Sequence, residues 1–217
     1  MSGQTQLTLP NGVDLLGELH PLLEQLGSVE GLVTLNTASS FLQRPNVENL
    51  DTLGLFLNAY LAQILLPFEL ASIHRAYAHA SRQETRELIA LDQEVAEQAI
   101  PQDFASASQR VGLSQLQRLR PLRDERIVQR YLHAAESGQA HAWHTLVYGI
   151  TLALYSLPVR QGLLNYARQT LSGFIHVAAR PLGLTVKECE DLLDQLCADL
   201  PHQVELIVAA HHTASDI

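Results

Sequence analysis

Apolar residues spaced three and four apart run through nearly the whole 217-residue chain, and almost nothing in it alternates with the period of two that a strand needs. Such spacing gives each helix one apolar stripe, and burying stripe against stripe is then the route to a core. Leu15, Leu16, Leu19, Leu22, Leu23 and Leu26 form the first stripe, closed by Gly27. Leu53, Phe56, Leu57, Tyr60, Leu61 and Ile64 form a second, opened by Asn49 or Asp51. It is predicted to end before Pro67, because a proline ring and its missing N–H break a helix interior. Ile73 and Tyr77 mark a third helix, and Ser81 with Glu84 reads as a capping box opening a helix through Leu88, Leu91 and Val95. Pro101 opens a segment carrying Phe104, Val111, Leu113 and Leu116, and a charged amphipathic helix is predicted over about residues 121–136.

Two strongly apolar helices follow, one over about residues 141–155 and one after Pro158 through Leu163, Leu164, Ala167, Leu171, Phe174, Ile175 and Ala178. Helices this apolar belong at the centre of a fold, with charged ones packed around them. Thr185 with Glu188 is a second capping box, ahead of Leu192, Leu193 and Leu196, and Pro201 opens a last helix through Val204, Ile207 and Val208. Residues 31–35 are the only short β-branched run. There is no internal repeat and no low-complexity linker. The expected fold is therefore all-α: a single domain over residues 1–217, a bundle of roughly nine or ten helices. Residues 1–30 are the part least constrained by pattern, and 209–217 form a short tail.

Charge and cysteine usage narrow the function classes. The net charge is −9, from 14 basic and 23 acidic side chains, and an acidic surface repels phosphate backbones. Neither nucleic acid nor membrane is an expected partner. Arg120, Arg123, Arg126 and Arg130 interleave with Asp124 and Glu125, which reads as a solvated helix face. Cys189 and Cys197 fall eight apart in one helix, so their Cα atoms stand about 12 Å apart. A disulfide needs less than about 7 Å, so both are read as core or near-core thiols in a reducing compartment. The start shows no basic n-region and no apolar h-region. The most apolar stretch, residues 53–66, falls short of the ~20 residues that span a bilayer. A cytoplasmic location is expected.

The histidines invite a metal hypothesis. His141 and His144, three apart, could share a helix face, but no Asp, Glu or Cys stands within a turn to complete a site. Two ordinary histidines near a helix start are the competing reading. His211 and His212 fall in the last turn, where a cationic imidazole also suits the helix dipole. No GxxxxGK[ST] loop, GxGxxG turn or GxSxG elbow is present, and neither cysteine has a local histidine. No catalytic residue is assigned, no cofactor is expected to be bound by the chain itself, and the protein is read as not an enzyme.

The order of segments from about residue 31 onward resembles the UreF family of urease accessory proteins, best in the second half. An apolar helix with a histidine near its start and a glycine toward its middle reads here as His141-Ala142-Trp143-His144 through Tyr148 and Gly149 to Leu157 and Pro158. The next helix carries Tyr166 and ends in Val177-Ala178-Ala179-Arg180-Pro181-Leu182-Gly183-Leu184-Thr185, similar to the family's Pro-Leu-Gly-x-Thr turn. Ser108 and Gly112 fit the family's middle helix, and Ala209 to Thr213 resembles its short His-Glu-Thr tail motif. Leu184 stands where the family has a glutamine.

The resemblance implies an all-helical homodimeric scaffold that binds other urease accessory proteins, including a GTPase, and assists nickel delivery to apo-urease. It implies partner-binding roles for His211, His212, Arg180, Gly183 and Tyr166. Gly149 and Gly183 are read as structural turn residues, with Arg180 capping the last carbonyls of its helix. The alternatives are an unrelated or repurposed helical interaction module, or a metal-binding helical protein using His141 with His144, or His211 with His212.

Overall fold

The computed structural model of the protein describes residues 31–213, with side chains from Leu32 to Ala210. The predicted Leu15 to Leu26 stripe and the imidazoles of His211 and His212 lie outside the described residues. Within them the chain is 78% helical and contains no strand, so the all-α expectation holds. The elements are α1 (Gly31–Phe41), α2 (Leu50–Ser81), α3 (Thr85–Ala96), α4 (Gln102–Arg118), α5 (Arg126–Glu136), α6 (His144–Leu154), α7 (Val159–Leu182) and α8. Helix α8 has two segments, Val186–Cys197 and Leu200–Thr213, and Ala198 between them keeps right-handed helical backbone at φ −57° and ψ −40°. Joined in this way the described residues form eight helices, fewer than the nine or ten expected.

Two expected breaks are missing: Pro201, read as opening a last helix, lies inside the joined α8, and the other is at Pro67. Helix α2 does not stop there but runs 32 residues, because Leu61–Leu70 takes the wider π-helical turn. A proline ring crowds the carbonyl four residues back in an α-helix, and the larger i→i+5 ring gives it room. Asn49 starts the helix with a reciprocal cap, its side chain accepting from the Thr52 amide while the Thr52 hydroxyl accepts from the Asn49 amide. By length and composition α2 could cross a membrane. Its inner face nevertheless carries Leu53, Phe56, Leu57, Tyr60, Ile64, Leu65, Leu70 and Ile73, all buried against protein, as befits a core helix.

Three other expected starts move. Ser81 is still the last residue of α2, and its hydroxyl donates to the Tyr77 carbonyl, so the Ser81–Glu84 capping box does not form. Instead Gln83 turns the chain at φ +59°, and the Glu84 carboxylate takes Arg82 Nε and His79 Nδ1, each at 2.8 Å. Those bonds, Arg82 first, hold the Glu84 carboxyl down at about 2. Helix α5 starts at Arg126 rather than Pro121, since residues 119–125 turn under the Gln129 amide, which donates to the Arg120 and Leu122 carbonyls. Helix α6 starts at His144, after Ala142 in the left-handed region at φ +56°. The Thr185–Glu188 box forms as read.

Two apolar clusters make the core. One joins α1, most of α2, α7 and α8, with Phe104 from α4 and Tyr148 and Leu152 from α6, around Phe56, Tyr60, Phe104 and Phe174. Phe174 is the hub: its ring lies 4.9 Å from that of Tyr60 and 5.7 Å from those of Phe56 and Phe104. The other joins α3, α4, α5, α6 and the end of α2 around Leu88, Leu91, Val128, Tyr131, Trp143, Leu146 and Ile150. The central place read for α7 is therefore correct. Phe174→Ala should cost ~3–5 kcal/mol, the range for emptying a packed aromatic site, measured as a drop in urea-unfolding free energy. An unchanged unfolding curve would mean that the four-ring cluster is not packed as described.

Candidate functional site

A polar layer crosses the interior where α2, α6 and α7 meet. Glu69, on the π-helical turn of α2, points its carboxyl inward. Tyr60 Oη donates to Glu69 Oε1 at 2.8 Å, and the Tyr166 hydroxyl from α7 bonds the same carboxyl. Oε2 is sealed from solvent with no partner of its own among the described residues. Burial lifts the Glu69 carboxyl from 4.5 to about 7 against the downward pull of the two phenols. The phenols move up in turn, chiefly by burial and next by the Glu69 charge, so both stay protonated donors. Behind Tyr166 stand Tyr148 and His144 of α6, with ring centroids 5.2 and 5.7 Å from that of Tyr166. The Tyr148 hydroxyl donates to the Gly162 carbonyl at 3.0 Å.

Glu69 as a residue is half-buried, with its Oε2 sealed, whereas Asp92, on α3, is fully buried. Its Oδ1 accepts the His141 amide at 2.6 Å, and its Oδ2 accepts Tyr131 Oη at 2.6 Å and the Ala142 amide at 3.0 Å. The indole of Trp143 donates to the Asp92 carbonyl at 3.2 Å. This one residue pins the strained approach to α6 and so sets where His144 starts its helix.

Glycines then let backbones touch. Gly149 lies inside α6 rather than in a turn; a Cβ there would stand 2.5 Å from the Ile73 carbonyl oxygen and 2.9 Å from Ala76 Cβ in α2. Gly112 of α4 is pressed onto residues 142–144 in the same way. Gly183 is a turn residue as read, left-handed at φ +66°. There the Leu184 amide bonds the Ala179 carbonyl and the Gly183 amide the Arg180 carbonyl, so backbone amides close the end of α7. The Arg180 side chain was expected to do this and is exposed instead.

The remaining site expectations divide. Tyr166 is buried, its hydroxyl turned inward, so as an exposed partner contact it is corrected to an interior residue. His141 is exposed and His144 buried, with the start of α6 between them, so the pair shares no face for a metal. Among the described residues no three of His, Cys, Asp and Glu gather as metal ligands would. Glu69 and Asp92 were missed, though each left a signal. Glu69 is the only acidic residue between Asp51 and Glu84, and Asp92 falls on the apolar stripe of Leu88, Leu91 and Val95.

The comparisons with known proteins fall on the same helices. The family model UreF matches residues 47–197, from the loop before α2 to the first segment of α8. No curated protein matches the chain. The matched span holds Glu69, Asp92, Gly112, His144, Gly149, Tyr166, Arg180 and Gly183, and the chain belongs to the UreF family of urease accessory proteins.

Proposed function

We propose that the protein is a non-catalytic scaffold, a chaperone in urease maturation that assists nickel insertion into apo-urease. It pairs with a second copy of itself and binds other urease accessory proteins, including a GTPase, in the cytoplasm. Membership of the family over residues 47–197 carries this reading. The internal polar groups support it: Glu69 is occupied by Tyr60 and Tyr166, and Asp92 by Tyr131 and two backbone amides, so both carboxylates join helices. Nickel is cargo here, handed on by the assembly, and His211 and His212 are assigned to docking.

The test is a pull-down of urease accessory proteins by the full chain, wild type against the His211→Ala/His212→Ala double variant. The variant should bind its partner at least several-fold more weakly, with metal content equal to that of wild type. Failure of the folded wild type to capture any urease accessory protein overturns the proposal. Stoichiometric metal on the wild type, lost in the variant with partner binding intact, would transfer these histidines to a metal site.

A further inference from the structure

We propose that Glu69 is a pH-sensitive lock on the π-helical turn, holding it closed while its carboxyl carries a proton and loosening it on ionisation. A π register is held by its surroundings rather than by intrinsic preference, and Leu61–Leu70 interrupts a helix that is α-helical on both sides. Its inner face is held by Ile64, Leu65 and Leu70, and by the hydrogen bonds of Glu69. Its outer face, Ala62, Gln63 and Pro67, is exposed, and Gln63 lines a small cleft with Phe41, Leu42, Gln43 and Arg44. Loosening the turn therefore alters both a core contact and a surface.

The geometry is ill suited to a charge. An ionised carboxylate presents about four acceptor sites, and a buried one is stable only when donors or a cation fill them. Asp92 has three donors spread over both oxygens. Glu69, half-buried as a residue, has two phenols and a sealed, unpartnered Oε2. The titratable groups around it are Tyr60 on its own helix, Tyr166 on α7, and behind them Tyr148 and His144 on α6. Buried His74 lies five residues further along α2. Glu205, on the α8 segment that also touches the π turn, is engaged by Arg160 at 2.7 Å on the surface. No cation is among the groups that set the Glu69 equilibrium.

The sign follows from the raised value. A carboxyl at about 7 in the folded chain and 4.5 otherwise holds its proton longer when folded. Its contribution is complete below 4.5 and is lost as pH rises toward and through 7. That difference corresponds to on the order of 100-fold in the unfolding equilibrium constant.

The experiment uses the full chain between about pH 5 and pH 8.5, within the range where these groups titrate. Urea unfolding and amide hydrogen exchange of residues 61–70, corrected for intrinsic pH dependence, are measured for wild type and Glu69→Gln. Carboxyl carbon resonances are titrated on the wild type alone, which needs no variant to fold. Expected are a glutamate resonance titrating near 7, and wild-type stability falling by tenfold or more in equilibrium constant across the range. Exchange at residues 61–70 should rise in parallel, and Glu69→Gln should flatten both profiles. The proposal is overturned if no carboxyl titrates between about 6 and 8, or if a folded Glu69→Gln keeps the wild-type slope.

Discussion

Gly112→Ala is expected to destabilise the protein by ~3 kcal/mol or more, although alanine is the better helix former by ~1 kcal/mol. The reason is the path of residues 142–144 across α4. A Cβ on Gly112 would fall on the Ala142 carbonyl oxygen and stand 2.6 Å from the His144 amide nitrogen and 2.7 Å from the Trp143 carbonyl carbon. All three are backbone atoms, so no side-chain rotation relieves the overlap. The backbone cannot retreat freely, because Asp92 holds the amides of His141 and Ala142 and the Ser108 hydroxyl holds that of His144. Gly54 supplies the control. Its Cβ would meet only Leu192 Cδ1, at 3.7 Å, so Gly54→Ala in the same chain should gain ~0.5–1 kcal/mol from helix propensity alone. Urea unfolding of both variants decides the matter. A Gly112→Ala midpoint at or above that of wild type would mean that α4 and residues 142–144 do not touch as described.

Periodicity made most of this architecture readable, and the exceptions share a cause. The stripes of α2, α7 and α8 repeat every three or four residues, so their buried faces could be named from spacing alone, whereas on α4 only Phe104 and Leu116 of the four apolar residues read are buried. The α2 readings failed where a tertiary contact outweighed a local rule. Pro67 is a helix breaker by itself, yet Tyr60, Ile64, Leu65, Leu70 and Ile73 bury so much apolar surface on one continuous helix that the backbone widens around the ring instead of ending. Ser81 and Glu84 carry the residues of a capping box, yet His79 and Arg82 compete for the Glu84 carboxylate, and the chain turns before the box can close.

The interior polar site was legible only in outline. His144, Gly149 and Tyr166 could be singled out by resemblance, but spacing cannot say that Tyr166 faces Glu69 from another helix, nearly a hundred residues away. Nor can it tell a histidine that belongs to a helix from one that precedes it. His141 and His144 look like one face until Ala142 is found in the left-handed region.

The residue that puts Ala142 there gives the second large effect. Asp92→Ala should destabilise the protein by ~4 kcal/mol or more, because it strands several donors in the core at ~1–3 kcal/mol each. The three donors that the carboxylate serves are Tyr131 Oη and the amides of His141 and Ala142, reaching across from α5 and from the approach to α6. Tyr131 is fully buried and Ala142 likewise, so water cannot replace the lost acceptor without opening the second core cluster. Tyr131→Phe removes a single donor and leaves the carboxylate its two amides, so it should cost only ~1–2 kcal/mol. Asp92→Asn keeps the shape but turns an NH2 group toward donors, and should fall between the two. The chain's single tryptophan reports on this site directly, since Trp143 is buried and its indole donates to the Asp92 carbonyl. In Asp92→Ala its emission should shift to the red at urea concentrations where circular dichroism still shows most of the helix, because residues 140–144 lose their anchor before α7 loses its packing. Coincident transitions at the wild-type midpoint would show that the Asp92 carboxylate does not hold the two halves of the second cluster together.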